Sequence, residues 1–413
     1  MEEWKEYKLG DLYDVHNGLS KGGKFFGSGY PFLSFKTVFN NFFLPLVLPD
    51  LVQSNEKEQS GYDIRRGDVF VTRTSETPEE LGMTSVALND YPFATYNGFT
   101  KRLRPKDISL VYPEFIGYYL RSTGFRAHFY GLASSMSTRA SLANADLLGM
   151  KIFIPSIKNQ KRIAKVLKSL DDKIEVNRRI NENLEAQAQA LFKSWFVDFE
   201  PFKDGEFVES ELGMIPKGWR VDSLSSIADY INGLAMQKYR PIDDEIGLPV
   251  LKIKELGQGA CDDGSELCSP SLIGNKYIIN DGDIIFSWSG TLMVKIWCGG
   301  RCGLNQHLFV VKANEYPKWF VYQWTQYHLG NFIRIAKDKA VTMGHIKRGE
   351  LDKAKVAIPD KEHLQMIDGI LNPIHQQIVN NELESRRLAT LRDTLLPRLM
   401  SGELKVNEIE KSL

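Results

Sequence analysis

Residues 17–27 read NGLSKGGKFFG and come close to a nucleotide-binding loop. Gly18, Gly23 and Lys24 fit the pattern G-x-x-x-x-G-K-[ST], in which backbone amides and the lysine hold phosphates, but Phe25 stands at the last position. A phosphate loop also needs a helix N-terminus behind it. The flanking stretches LYDVHNG and YPFLSFKTV instead have the alternating or aromatic-rich apolar residues that predict strands. The sequence therefore disfavours an ATP-using enzyme built on this loop.

Other residue types that could do chemistry are sparse. Cys261, Cys268, Cys298 and Cys302 have spacings of six and three residues that fit no zinc pattern well, although His307 is nearby, so we interpret them as reduced thiols. The stretch CDDGSELC could bind a cation, but a solvated turn is the simpler interpretation. Neither a Gly-x-Ser-x-Gly elbow, nor H-E-x-x-H, nor C-x-x-C occurs. We therefore expect a binding protein that is not an enzyme and holds no metal or cofactor of its own.

The composition is that of an ordinary globular protein of several domains. The chain has 413 residues, 43% of them hydrophobic, and its 52 basic and 52 acidic residues cancel. A net charge of zero gives no indication of nucleic-acid binding, so any basic surface must be local. The sequence has no apolar run of membrane-spanning length, and its start, MEEWKEYKLG, lacks an apolar signal core. We expect a cytoplasmic protein.

The chain contains the same unit twice. A shift of 215 positions superimposes its opening on its second half, and after an insertion or deletion a shift of 204 continues the match. The shift of 215 brings NGL at 17–19 onto NGL at 232–234, but the second copy lacks the Gly-Lys pair. The first stretch is therefore one of two equivalent turns. The clearest matched pairs are Trp4/Trp219, Leu9/Leu224, Asp14/Asp229, Gly18/Gly233, Thr138/Thr342 and Pro155/Pro359.

Each copy ends in a long helix with a coiled-coil pattern. Apolar residues recur in steps of four and three, an average of 3.5 that is typical of paired helices. Asn177 and Asn381 occupy matched positions in this pattern, where a buried amide fixes the register. Pro373 predicts a kink or late start in the second helix, and Pro397 a stop or bend. The predicted seam comprises Leu167, Leu170, Ile174, Asn177 and Leu184 in the first helix, and Leu371, Ile378, Asn381, Leu388 and Leu395 in the second.

These patterns predict five segments. Residues 201–218, rich in glycine, proline and acidic residues, are interpreted as an exposed linker. Phe192, Phe196 and Val197 lie off the seam and are candidates for contacts with a partner protein. The segments are a first globular domain (1–154), a first long helix (155–200), the linker (201–218), a second globular domain (219–358) and a second long helix (359–413).

Basic residues concentrate at corresponding places in the two copies. Residues 95–155 hold eight basic residues against three acidic ones, and residues 334–355 hold seven against three. Such clusters suit phosphate contacts with DNA, although a solvated basic face would look the same. The polar and basic side chains that we expect to contact DNA are Lys24, Lys36, Arg73, Thr74, Ser75, Arg102, Ser137, Thr138 and Arg139 in the first copy, and Lys238, Arg240, Lys254, Ser289, Gln306, His307, Thr342, His345 and Lys347 in the second.

The helical segments resemble a known family. The stretches IPSIKNQKRIAKVLKSLDDKIEVNRRINENLEAQAQALFKSWFVDFEPF (154–202) and LRDTLLPRLMSGELKV (391–406) are similar to the two conserved regions of specificity subunits of type I restriction-modification systems. The duplicated globular parts resemble that family's two target recognition domains, so the resemblance covers essentially the whole chain.

The resemblance implies an α/β (α+β) fold with an internal duplication, in which two long antiparallel helices separate two recognition domains in a pseudo-twofold arrangement. Each domain would bind one half of a split, asymmetric double-stranded DNA target. A helix of about 40 residues is about 60 Å long and could act as a spacer. The implied partners are two modification (methyltransferase) subunits and the restriction subunits. These partners, not this chain, would bring S-adenosylmethionine, ATP and Mg. The alternative is a coiled-coil adaptor without sequence-selective DNA binding.

Overall fold

The structure, a computed structural model, describes residues 4–75, 81–134, 140–242, 244–338 and 345–409. Its strands are β1 (Lys5–Lys8), β2 (Tyr13–Asn17), β3 (Phe26–Leu33), β4 (Asp50–Val52), β5 (Val69–Thr72), β6 (Thr74–Ser75), β7 (Thr84–Val86), β8 (Thr95–Tyr96), β9 (Thr100–Pro105), β10 (Ala140–Ser141), β11 (Lys151–Ile154), β12 (Phe207–Ser210), β13 (Gly213–Pro216), β14 (Arg220–Ser223), β15 (Ala228–Asn232), β16 (Leu248–Leu251), β17 (Leu267–Cys268), β18 (Ile278–Ile279), β19 (Asp283–Ser287), β20 (Met293–Trp297), β21 (Cys302–Leu304), β22 (Leu308–Ala313) and β23 (Lys355–Ile358).

The helices are α1 (Leu9–Leu12), α2 (Phe35–Asn40), α3 (Glu56–Gly61), α4 (Pro113–Arg121), α5 (Thr123–Ser134), α6 (Asn144–Gly149), α7 (Ile157–Phe196), α8 (Leu224–Ile227), α9 (Ile253–Gln258), α10 (Lys318–Asp338), α11 (Gly349–Lys353), α12 (Lys361–Met400) and α13 (Val406–Ile409). The chain divides into a first unit, residues 1–172 with 389–413, and a second unit, residues 173–388. Each unit therefore contains one end of α7 and one end of α12.

The two units share a sheet topology. The first has a four-stranded sheet in the order β2-β9-β5-β7, and the second has β15-β22-β19-β20. Each unit also has a smaller sheet with one parallel pair of strands. In the first unit β3 pairs parallel with β8 and antiparallel with β4. In the second unit β16 pairs parallel with β21 and antiparallel with β17. The duplicated fold of helices and sheets predicted from the sequence is confirmed.

One inner strand of each four-stranded sheet, β5 in the first unit and β19 in the second, is buried on both faces. In β5, Val69 and Val71 belong to one hydrophobic cluster and Phe70 to another. In β19, Phe286 and Ile285 are divided in the same way. Successive strand side chains point to opposite faces, so a continuous apolar run places a core on each side of the sheet. This packing fixes the strand ends that carry the loops described below.

The long helices pair through asparagines in the second unit. Asn177 Nδ2 donates to Glu384 Oε2 (2.7 Å) and to the Asn381 carbonyl (3.4 Å), and Asn381 Nδ2 donates to Asn181 Oδ1 (2.8 Å). Asn181 Nδ2 in turn donates to the Ile378 carbonyl at 3.1 Å. This register makes α7 and α12 antiparallel here. Of the other seam residues, Leu167, Leu371 and Ile378 are buried, and Leu170, Ile174, Leu184, Leu388 and Leu395 are half-buried.

Neither proline interrupts the second long helix. α12 runs without a break from Lys361 to Met400, so the expected late start at Pro373 and stop at Pro397 are wrong. Asp360 caps its beginning, because its Oδ1 accepts a hydrogen bond from His363 N at 2.9 Å. Both prolines are exposed, so water can satisfy the carbonyls that lose a helical hydrogen bond.

The segment 201–218 is a folded hairpin and not an irregular linker, although most of its residues are exposed as expected. β12 and β13 within it form an antiparallel hairpin, and Phe202 and Ile215 are buried in the main core of the second unit together with the adjoining Trp219. Glycine and proline mark hairpin turns as well as linkers, which explains the wrong interpretation. Phe192 and Phe196 are likewise buried in this core, against Trp324, and are not left for a partner.

Burial lowers the pKa of His375 to about 4, and the charge of Lys318 adds to the effect. An unfolded histidine has a pKa near 6.5, so the unfolded chain binds more protons between these values. The free energy of unfolding should thus fall as the pH drops from 6.5 to 4, by up to about 1.4 kcal/mol per pH unit. His375→Gln should have a flatter profile in urea titrations. If the wild type and His375→Gln are equally stable near pH 7.5 and lose stability equally with falling pH, the low pKa of His375 is contradicted.

Candidate nucleic-acid interface

In the first unit, four segments meet beyond the ends of β2, β5 and β9. We call residues 17–19, 73–75, 97–99 and 140–142 the first loop cluster. Leu19 forms a parallel bridge with Asn97, and Ser141 pairs with Thr74. The linking backbone hydrogen bonds run from Gly18 N to Thr100 O (3.2 Å), from Arg73 N to Phe99 O (3.0 Å) and from Leu142 N to Arg73 O (2.8 Å).

The second unit builds the same arrangement. We call residues 232–234, 288–290, 305–307 and 345–347 the second loop cluster. Leu234 bridges to Asn305, and Ser289 bridges to His345. The matching hydrogen bonds run from Gly233 N to Leu308 O (3.0 Å), from Trp288 N to His307 O (3.4 Å) and from Ile346 N to Trp288 O (3.2 Å).

The two clusters therefore share a backbone but differ in side chains. Every bridge and hydrogen bond named above has its counterpart under the repeat. The residues at matched positions, first cluster before second, are Arg73 and Trp288, Thr74 and Ser289, Gly98 and Gln306, Phe99 and His307, and Ser141 and His345. One scaffold thus presents two different chemical surfaces.

Two cations lie at the first cluster, Arg73 within it and Lys101 two residues beyond Phe99. Arg73 is half-buried, and its Nε is buried with no hydrogen-bond partner among the residues that the structure describes. Lys101, 4% exposed, donates to Asn144 Oδ1, and burial, followed by the charge of Arg73, lowers the pKa of Lys101. Among the described residues, neither cation forms a salt bridge. Arg73 is therefore the cation of this cluster that a DNA phosphate can reach, and the buried Lys101 adds to the local positive potential.

The second cluster combines aromatic and hydrogen-bonding side chains with one exposed cation, Lys347. Trp288 Nε1 donates to Asn232 Oδ1 at 2.9 Å, which fixes the indole. The His307 and His345 rings lie 6.0 and 6.4 Å from the Trp288 ring, centre to centre. Gln306 Nε2 is 3.4 Å from His307 Nε2. Glutamine and histidine side chains present the donors and acceptors that can distinguish base edges in the major groove.

Several predicted contacts lie on other segments. Lys24 is in the 3-10 turn Gly23–Phe25, with Nζ 5.1 Å from the Phe25 ring centre, and this turn leads into β3. No phosphate loop is formed there. Lys36 is exposed on α2 and Lys238 on a 3-10 turn, while Arg240 pairs with Glu266 (2.8 Å) and Lys254 with Asp262 (3.4 Å).

Arg102 is not available to DNA. It is 8% exposed, and its guanidinium donates to Asp63 Oδ1 at 2.8 Å and to the Asp63 carbonyl at 2.7 Å. Arg104 pairs with the same aspartate and with Asp68. The basic excess counted over residues 95–155 is thus partly neutralised by carboxylates outside that window. Arg121 is also removed from the surface, because it donates to the Val38, Phe39 and Thr84 carbonyls.

Four predicted contacts, Ser137, Thr138, Arg139 and Thr342, lie outside the described residues. Of the remaining ones, the structure brings Arg73, Thr74 and Ser75 together in the first cluster, and Ser289, Gln306, His307, His345 and Lys347 in the second.

Sequence reasoning missed Trp288 and the two turn asparagines, Asn97 and Asn305. Each asparagine accepts, through Oδ1, a hydrogen bond from the backbone N–H two residues later. Trp288 could have been found, because the shift of 215 that reveals the repeat aligns it with Arg73. The cysteines are free thiols, and no group of three or more possible metal ligands occurs among the described residues. Nor does that part of the chain include a helix long and apolar enough to cross a membrane.

Comparisons with known proteins agree with this duplication. Residues 1–186 and 216–391 match the family model of the type I restriction modification DNA specificity domain. The chain is 29% identical to the type I restriction enzyme MjaIX specificity subunit of Methanocaldococcus jannaschii, over 99% of this chain and 95% of that protein. It is 24% identical to the HindI specificity subunit of Haemophilus influenzae, over 98% and 100% respectively.

A solved structure shows the same fold. The S subunit of a type I restriction-modification system from M. genitalium has a TM-score of 0.53 and 15% identity, with 96% of each chain covered. The repeated loop clusters and the two matches of the family model lead to one assignment. The chain belongs to the type I restriction modification DNA specificity family and carries two copies of its domain.

Proposed function

We propose that this chain is the DNA-reading subunit of a type I restriction-modification complex and that each unit reads one half of a split, asymmetric target. The observation that supports this most directly is the pair of loop clusters. Their backbone contacts coincide, whereas their exposed chemistry differs: Arg73 stands where the other unit has Trp288, and Phe99 where it has His307. A duplicated reader of two unlike half-sites needs a common frame with different contact groups.

In this proposal the chain does no chemistry. Two modification subunits and the restriction subunits would join it in the cytoplasm and supply the catalytic groups, with S-adenosylmethionine, ATP and Mg bound to those partners. Arg73 would hold the phosphate backbone, with the buried Lys101 adding to the local positive potential, while the side chains of Gln306 and His307 in the second cluster would contact base edges.

The test is a map of adenine methylation in a methylation-free host that carries this chain and its cognate modification subunit. We expect a split motif with two defined halves that disappears when this chain is omitted. If the modification subunit is bound and active but methylates no split motif, the proposal is wrong and the coiled-coil adaptor is favoured.

A further inference from the structure

The turn Asn305–Leu308 of the second loop cluster holds a side chain that its counterpart lacks. The turn closes through Leu308 N donating to Asn305 O, and in the first unit Thr100 N donates to Asn97 O, both at 3.0 Å. The bridges from Leu234 and Leu19 attach the two turns to their units in the same way. Gln306 therefore occupies the backbone position of Gly98.

The residue next to this turn also differs between the two units. A Cβ atom on Gly98 would lie 2.4 Å from Ser20 Oγ and 3.2 Å from the Leu19 carbonyl, so a side chain here would require the Ser20 hydroxyl to rotate away. The repeat places Ala235, which has no hydroxyl, at the position of Ser20. The second unit thus has a smaller residue at the position of Ser20 and a larger one at the position of Gly98.

The surroundings of Gln306 orient its carboxamide. Among the described residues, that carboxamide is the side-chain hydrogen-bond partner of the His307 ring, at 3.4 Å. The ring lies beside Trp288, which Asn232 holds in place. His307 Nδ1 is buried and has no hydrogen-bond partner in the described part of the chain, so the ring meets Gln306 through its other nitrogen, Nε2. A half-buried amide supported in this way loses little further conformational freedom when it binds.

We propose that Gln306 determines the specificity of the second unit by reading an adenine edge in the major groove, and that Gly98 leaves the first unit without a side-chain contact at the matched position. This inference rests on the proposed function. A carboxamide offers one donor group and one acceptor, which match N7 and the N6 amino group of adenine in a bidentate contact. The A·T pair should lie in the half-site that the second unit reads.

The experiment uses the full chain with its modification subunit and compares methylation motifs. The double variant Ala235→Ser with Gln306→Gly reproduces the first unit's pair. We expect one A·T position in one half-site to become degenerate, with a loss of discrimination of about 10- to 100-fold, while the other half-site stays unchanged. Gln237→Ala, an exposed glutamine on the neighbouring 3-10 turn, is the matched control and should leave the motif intact.

A second variant covers the case in which the double variant does not fold. Gln306→Glu keeps the size of the side chain but only accepts hydrogen bonds, so the preference should move from adenine towards cytosine. An unchanged motif in this variant, or in a folded double variant, would overturn the proposal. If the wild-type chain itself yields no split motif, the proposed function fails instead, and the two failures are thereby distinguished.

Discussion

Replacement of Phe196 with alanine is expected to lower the free energy of unfolding of the second unit by about 3–5 kcal/mol. Phe196 is 1% exposed, and its ring lies 4.9–6.1 Å, centre to centre, from five other aromatic rings. Truncation removes these contacts and leaves a cavity that the surrounding tryptophans are too large and rigid to close.

Hydrogen exchange of the full chain measures this effect. Peptides from residues 280–330 should lose most of their protection, and peptides from residues 81–134, in the first unit, provide an internal reference. Ile246→Ala is the control, because Ile246 lies in the second unit and is 90% exposed, and it should cost less than about 1 kcal/mol. Unchanged protection in Phe196→Ala would mean that this end of α7 does not support the core.

The second large effect concerns the glycine of each NGL turn. A Cβ atom on Gly233 would lie 2.2 Å from Asn305 O and 2.4 Å from Leu304 O, and one on Gly18 would lie 2.0 Å from Asn97 O. These obstacles are backbone atoms, so the turn must separate from the neighbouring segment and lose its bridge. We expect Gly233→Ala or Gly18→Ala to cost about 2–4 kcal/mol locally.

Each glycine variant should also damage the reading of one half-site only. Gly18→Ala should reduce sequence discrimination in the half-site read by the first unit, and Gly233→Ala should reduce it in the other half-site. Mapping of methylation measures both effects. Gly23→Ala and Gly257→Ala are matched controls, since a Cβ atom at either position meets nothing within 4 Å. Equal loss at both halves in each variant would be incompatible with two separate readers.

How far the sequence predicts this protein depends on the range of the contacts. The repeat, the strands that lead into the NGL turns and the asparagines of the helix pair follow from sequence patterns, and the structure contains all three. The stretch YPFLSFKTV, predicted as a strand, is a strand only as far as Leu33, and its last four residues belong to α2. Contacts between distant residues do not follow in this way. Arg102 is neutralised by Asp63, which lies outside the stretch whose charge was counted.

The same limit applies to the candidate interface. A list of polar and basic residues could not separate Gln306, on a supported turn, from Arg240, which pairs with Glu266. Likewise, the apolar character of Phe196 predicts that its side chain is buried but not which residues cover it. Comparison of the two copies adds information that neither copy contains alone. Ser20 and Gly98 indicate a difference in side-chain contacts only when they are compared with Ala235 and Gln306 at the matched positions.

The division of the chain into units bears on synthesis at the ribosome. Residues 173–388 of the second unit are contiguous, so that unit can fold as soon as they emerge. The first unit needs Leu396, Leu399 and Met400, which pack with Leu167 in its core. Domains usually complete their folding in the order of translation. Here the domain that is made first must wait for the last segment of the chain, and nascent chains that stop early retain a complete second unit but an unfinished first one.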